Sequence, residues 1–144
     1  MNKIVIPVFI MLTIAFYACK KNVEDSHPQQ LNTLSIRKQI IMKDSWIFRD
    51  IDYNGMSVFG STKDCDKDDV YYFNSNDSAV INEGKTKCDP NSPQVNYSTW
   101  KFLDDETRLI FLGDTLDIDV LSSDSLKYSL PAPGGRLAFF YSRK

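Results

Sequence analysis

The chain has 144 residues, 17 basic and 19 acidic side chains, three cysteines and a single histidine. That length fits one domain with a real core once the front end is set aside, since ~100–150 residues is the commonest domain size. The near-balanced charge excludes a nucleic-acid binder, which needs a basic face to displace counterions.

Met1-Asn2-Lys3 is a short basic start, and Ile4 to Ala15 is an apolar run interrupted only by Pro7 and Thr13. A basic start, a short apolar stretch and a small residue before the break read as a signal peptide over residues 1–18. The run is shorter than the ~20 apolar residues of a spanning helix. Phe16-Tyr17-Ala18-Cys19 resembles the bacterial lipobox in the looser form of Bacteroidetes lipoproteins, with Phe16 where an aliphatic residue is usual. The resemblance implies cleavage before Cys19 and a thioether-linked lipid on it. The partner is then a membrane of the cell envelope, expected to be the outer membrane. Several acyl chains anchor stably, because each buried methylene contributes ~0.8 kcal/mol. The alternative is an ordinary signal peptide with a chance cysteine. Residues 19–30 carry one apolar residue, Val23, and one proline; they cannot bury enough surface to order themselves and read as a tether.

The domain is expected over residues 31–144. Leu31 to Met42 carries Leu34, Ile36, Ile40 and Ile41 around Arg37, Lys38 and Gln39 and reads as a short helix closing one end. From Lys43 the pattern switches to short alternating runs. Trp46 and Phe48 alternate with Ile47 and Arg49, and Asn54-Gly55 is a two-residue hairpin signal before a strand at Met56 to Gly60. Val70 to Phe73 and Ala79 to Asn82 flank the turn cluster Asn74-Ser75-Asn76-Asp77. Glu83 to Tyr97 is the longest loop. Ser98 to Leu103 and Arg108 to Leu112 follow, separated by Asp104-Asp105-Glu106. Leu116, Ile118 and Val120 alternate with Asp117 and Asp119; Leu126, Tyr128 and Leu130 form the next strand. Pro131 to Gly135 is a loop, and Leu137, Phe139 and Tyr141 finish the chain. Turns fall mostly to Asn, Asp and Ser, since glycine and proline number only six each. These runs make about nine strands, and short links between them give an antiparallel meander. A meander with one apolar face must curl to bury it and hide its edges, so the expected fold is all-β, closed into a small lipocalin-like barrel.

Lipidation of Cys19 leaves Cys65 and Cys88 as a pair, and an exported domain permits a disulfide between them. The alternative is zinc, for which two cysteines and one histidine fall short of a ligand set.

Trp46, Cys65-Asp-Lys-Asp-Asp-Val-Tyr-Tyr-Phe, Asn76-Asp77, Glu83-Gly84, Lys87-Cys88-Asp89, Trp100 and Asp124-Ser125-Leu126 together resemble the lipocalin-like lipoproteins of Bacteroidetes, from Lys43 to Tyr141. The resemblance implies a small antiparallel barrel behind a lipobox, in a family whose members mostly have no assigned activity. Ser78 departs from the pattern, where glycine usually follows the hairpin Asp; only the turn type is at stake.

No catalytic constellation is visible. His27 is the one histidine and lies in the tether, away from any nucleophile in the domain. No phosphate loop or other cofactor motif is present, because Pro133-Gly134-Gly135 has no Lys-Ser/Thr after it. Strand-end carboxylates read as solvated charges. Asp64, Asp66, Asp68 and Asp69 form an oxygen-rich run that loosely echoes calcium loops, but the central glycine and distal glutamate are missing, and a solvated turn is the simpler reading. The inward positions are Trp46, Phe48, Tyr71, Phe73, Trp100, Phe102, Leu109, Phe111, Ile118, Val120, Leu126, Tyr128, Phe139 and Tyr141. Among them Trp46, Phe48, Tyr71, Phe73, Trp100, Phe102, Tyr128 and Phe139 are the candidate ligand-binding residues. An eight-stranded barrel is just wide enough to be filled by side chains or to hold one small ligand. Two functions follow: binding of a small apolar or amphipathic molecule inside the barrel, or a filled barrel serving as a structural or interaction module.

Overall fold

The computed structural model describes residues 34–144. The expected signal peptide (1–18), the lipidation site Cys19, the tether (19–30) and His27 lie outside the described residues. Helix α1 (Ile36–Met42) opens at Ser35, whose Oγ accepts a hydrogen bond from the Lys38 amide at 3.0 Å. Nine strands follow: β1 (Trp46–Tyr53), β2 (Met56–Ser57), β3 (Val70–Phe73), β4 (Ser78–Asn82), β5 (Val95–Leu103), β6 (Arg108–Phe111), β7 (Asp114–Leu121), β8 (Ser125–Ala132) and β9 (Gly135–Arg143). From β3 to β9 each strand pairs antiparallel with the next; β1 joins β3 on one side and β9 on the other. The ring closes along β1 and β9 from Trp46 opposite Arg143 to Tyr53 opposite Leu137. The chain therefore forms the all-β fold expected of it, an eight-stranded antiparallel closed barrel with β2 as one extra strand.

Local chemistry sets the turns. Asn54 and Gly55 both have positive φ, as a type I′ hairpin requires. Between β3 and β4, the Asn74 amide donates to the Ser78 carbonyl at 2.8 Å and Asp77 takes the left-handed position at φ 60°. That is a three-residue loop, so Ser78 sits just past the strained position and has no need to be glycine. Pro131 and Ala132 stay in β8, opposite Arg136 and Gly135, which leaves only Pro133-Gly134 for the final turn. The longest loop ends earlier than expected, because Val95, Asn96 and Tyr97 pair with Asn82, Ile81 and Val80. β2 is short: one more rung, the Val58 amide donating to the Ile51 carbonyl at 2.8 Å, follows it before two 3₁₀ turns, Phe59–Ser61 and Asp64–Asp66, lead the chain away.

Two bulges break the alternation. Arg49 is an extra residue opposite β9, so Phe48 and Ile51 both face inward. Asp119 is extra opposite β8, which turns Val120 outward at 44% exposure and gives the inward place to Leu121. The expected inward position of Val120 is thus corrected.

The barrel is unevenly filled. At the α1 end, Ile41, Trp46, Trp100, Leu109 and Leu126 are fully buried, and Phe73 packs between Trp100 and Phe111, the latter also lining the open half. α1 closes this end, as expected. The Trp46 Nε1 donates to the Ile41 carbonyl at 2.8 Å, the Arg143 guanidinium stacks on the Trp46 ring at 4.0 Å, and Lys38 pairs with Asp77 at 2.7 Å. Burial of aromatic rings at this density contributes several kcal/mol and leaves no room for a guest. The opposite half is different.

Candidate functional site at the open end of the barrel

β1 and β3 pair only through Trp46 with Tyr71 and Ile47 with Val70, then part. The segment from Phe59 to Asp69 crosses over the gap, with Phe59 edge-on to Phe48 at 5.4 Å. Beneath it lies a cleft of ≈ 260 Å³ walled by Phe48, Ile51, Tyr71, Phe139 and Tyr141, with Thr62, Asp66 and Asp69 at its acidic side. A second chamber of ≈ 360 Å³ shares Tyr71, Phe139 and Tyr141 and continues past Tyr128 to Leu112, Leu116, Leu130 and Leu137.

Three tyrosines cluster at these walls, Tyr71 and Tyr141 in both chambers and Tyr128 in the second. Tyr71 meets Tyr141 edge to face at 5.2 Å, and Tyr128 stacks on Tyr141 at 5.2 Å. The Tyr128 and Tyr141 hydroxyls are hydrogen-bonded at 2.5 Å. Burial pushes all three phenols well above the ordinary tyrosine value; at Tyr71 the charges of Asp69 and Asp66 add to it.

The acidic run divides into separate roles. Asp64 pairs with Lys67 at 2.7 Å in solvent. Asp68 is a structural pin: its Oδ2 accepts the amides of Lys85 at 2.6 Å and Thr86 at 3.2 Å. That contact also explains Gly84, since a Cβ there would sit 2.4 Å from the Asp68 side chain. Asp69 is half-buried at the cleft, and its Oδ1 has no hydrogen-bond partner among the described residues; the same holds for Glu83 Oε2 beside it. Burial first, then the like charges of Asp66, Glu83 and Asp68, push the Asp69 carboxyl up to about 7. Asp64, Asp66, Asp68 and Asp69 do not converge on one point. Among the described residues, the one group of three or more Cys, Asp, Glu or His side chains with ligand atoms within 4.8 Å of one another is Cys65, Asp66 and Cys88. The sulfurs of Cys65 and Cys88 are at disulfide distance, with Cα atoms 5.1 Å apart, so they hold each other. The bridge ties the acidic segment to the 83–94 loop.

The eight candidate interior residues fall into two sets. Trp46, Phe73 and Trp100 lie in the filled half, with Phe102 half-buried against Trp100 at 5.5 Å. Phe48, Tyr71, Tyr128 and Phe139 line the two chambers. The site also uses Ile51, Thr62, Tyr141 and the carboxylates of Asp66 and Asp69. Of these, Tyr141 was legible as inward-facing from its alternation with Ser142. Ile51 was hidden by the bulge at Arg49, and Thr62 by its place in a loop. No family model matches the chain, and no curated protein is significantly similar to it in sequence.

Proposed function

We propose that this chain is a lipid-anchored, lipocalin-like protein of the cell envelope that takes a small amphipathic molecule into the open half of its barrel. The observation that carries the binding reading is the contrast between the two halves. One end is packed solid on Trp46 and Trp100, while the other holds two concavities that share Tyr71, Phe139 and Tyr141 as lining. Concave, largely apolar sites with a few placed polar groups are where small ligands bind. The lipobox-like Phe16-Tyr17-Ala18-Cys19 and the family resemblance from Lys43 to Tyr141 support the anchored reading.

Native mass spectrometry of gently purified protein tests the binding function. A retained small molecule, or displacement of a polarity-sensitive dye from the barrel by amphipathic compounds, is expected. A protein that carries nothing and takes up no dye overturns it. For the anchor, Cys19→Ala releases the protein from membranes; a variant that stays membrane-bound overturns the lipobox reading.

The second reading is an interaction module. It is favoured by an outward row across β3, β4 and β5, in which Val80 lies between Tyr72 and Tyr97. Tyr97 is 79% exposed and Tyr72 38%. Tyrosine is enriched in protein interfaces. Crosslinking in cells through this row yields one reproducible partner if the reading is right, and scattered products if it is wrong.

A further inference from the structure

We propose that the cleft between β1 and β3 receives an organic cation, a small amine or quaternary ammonium whose charged end sits against Asp66 and Asp69 and whose apolar part lies against Phe48, Tyr71 and Phe139. This rests on the small-molecule reading above and narrows it to a chemical class. Four lines converge. First, the charged lining of the cleft is acidic only: Asp66 and Asp69 face it, with no Lys or Arg among its described wall residues. The neighbouring Lys67 is held by Asp64 at 2.7 Å and lies over the Phe59 ring at 5.3 Å. Second, the buried Oδ1 of Asp69 is aligned with no donor, and leaving such an oxygen unpaired is costly unless something supplies one. Third, four aromatic rings wall the same space, and ring faces attract ammonium groups within about 6 Å. Fourth, the volume of ≈ 260 Å³ lies just below the roughly 300–1,000 Å³ of drug-sized sites, which fits a one-ring molecule.

A metal ion fits less well, because the four aspartates do not gather their oxygens on one point. The second chamber gives a useful contrast. It has one carboxylate, Asp114, and otherwise aliphatic and aromatic walls, so it suits the apolar tail of a longer ligand.

The titratable groups around Asp69 are Asp66, Asp68, Glu83 and Tyr71. With its carboxyl raised to about 7, Asp69 is part-neutral in the empty cleft at neutral pH. A bound ammonium holds it ionised, so binding releases a proton and tightens as pH rises through that value.

The test titrates the full chain with 2-phenylethylamine and with 2-phenylethanol, its uncharged counterpart, followed by the aromatic proton NMR signals at pH 8 and at pH 5.5. The amine is expected to bind about tenfold more tightly than the alcohol at pH 8, on the scale of one charge-assisted contact, with the gap shrinking at pH 5.5. Asp69→Asn removes most of the gap between the two compounds. Asp66→Asn, a second conservative variant, narrows it as well and keeps the test decisive if the first variant fails to fold by near-ultraviolet circular dichroism. Equal binding of amine and alcohol overturns the cation and leaves the small-molecule reading standing. Binding of neither compound overturns the cation, and the native mass spectrometry above decides the small-molecule reading separately.

Discussion

Tyr128 and Tyr141 meet hydroxyl to hydroxyl at 2.5 Å inside the barrel, both side chains buried. They come from β8 and β9, where Tyr128 lies opposite Phe139 and Tyr141 opposite Leu126, so the two tyrosines are diagonal neighbours on the inner face. The pair marks the level at which solid packing gives way to space: Tyr141 walls both chambers and Tyr128 one of them.

The Tyr141 hydroxyl is the partner of the Tyr128 hydroxyl, so removing it strands its mate. Tyr141→Phe is expected to cost about 1–3 kcal/mol, the desolvation of one unpaired buried hydroxyl, even though the ring is kept. Thermal unfolding checks this. The same burial makes a pH prediction. Tyr71, Tyr128 and Tyr141 have folded-state values raised above the unfolded one. Their contribution to stability is full below about pH 10 and is lost as pH climbs beyond it, because only the unfolded chain can release those protons easily. An ultraviolet alkaline titration should show three tyrosines ionising only with unfolding. Titration of every tyrosine near the ordinary value would contradict the buried cluster.

Asp69 gives the opposite design of experiment, a substitution that strengthens the fold. Its carboxyl is raised to about 7 from an unfolded 3.8, so the folded state prefers it neutral. The stability associated with that neutral form is full below about pH 4 and is lost as pH rises through 7. Asp69→Asn is always neutral. It should match the parent at pH 4 and exceed it above neutrality by on the order of 1 kcal/mol, a figure reduced for the solvent that reaches this half-buried group. Denaturant midpoints across that range test the sign.

The Cys65–Cys88 bridge spans a sequence separation of 23. A closed loop of that size restricts the unfolded chain by roughly 3 kcal/mol in the chain-entropy model. Replacing both cysteines by serine should lower stability by roughly 2–4 kcal/mol. The far-ultraviolet spectrum should persist, because the β3–β4 and β4–β5 ladders do not depend on the bridge. Ligand uptake should fall as well, since Asp66 is adjacent to Cys65 on the segment over the cleft. Unchanged uptake would separate the bridge from the site.

The barrel was readable in the sequence because its signals are local. Asn54-Gly55 names its own turn, and Trp46/Phe48, Tyr71/Phe73 and Leu126/Tyr128 alternate as half-buried strands must. Bulges are not local. Leu116, Ile118 and Val120 keep a perfect alternation of residue types, and only the partner strand shows that Asp119 is one residue too many. Val95–Tyr97 is a three-residue stretch interrupted by Asn96, too short a run to be told from the loop before it; its pairing with β4 decides the matter. The site was half legible for a related reason. Alternation identifies which rings face inward but carries no information about height along the barrel. It therefore cannot separate Trp46, sealed under α1, from Phe139, at the open chambers.

Leu112 offers the sharpest check on the second chamber. It occupies the first position of the two-residue turn between Phe111 and Asp114, at φ 55° beside Gly113 at φ 89°. Both positions of such a turn need positive φ, which suits asparagine and glycine; for a leucine it costs roughly 1–2 kcal/mol. The side chain is 55% exposed, so packing regains only part of that cost, yet it lines the chamber beside Leu130 and Leu137. Strain retained at a cavity wall is a feature of ligand sites. Leu112→Asn restores the residue type the turn prefers. It should raise stability by roughly 0.5–1 kcal/mol, read as a melting point a few degrees higher. It should also weaken binding of ligands long enough to reach the second chamber, while leaving a one-ring amine in the first cleft unaffected. A variant with no gain in stability would contradict the strain argument, and a gain with no change in long-ligand binding would remove Leu112 from the site.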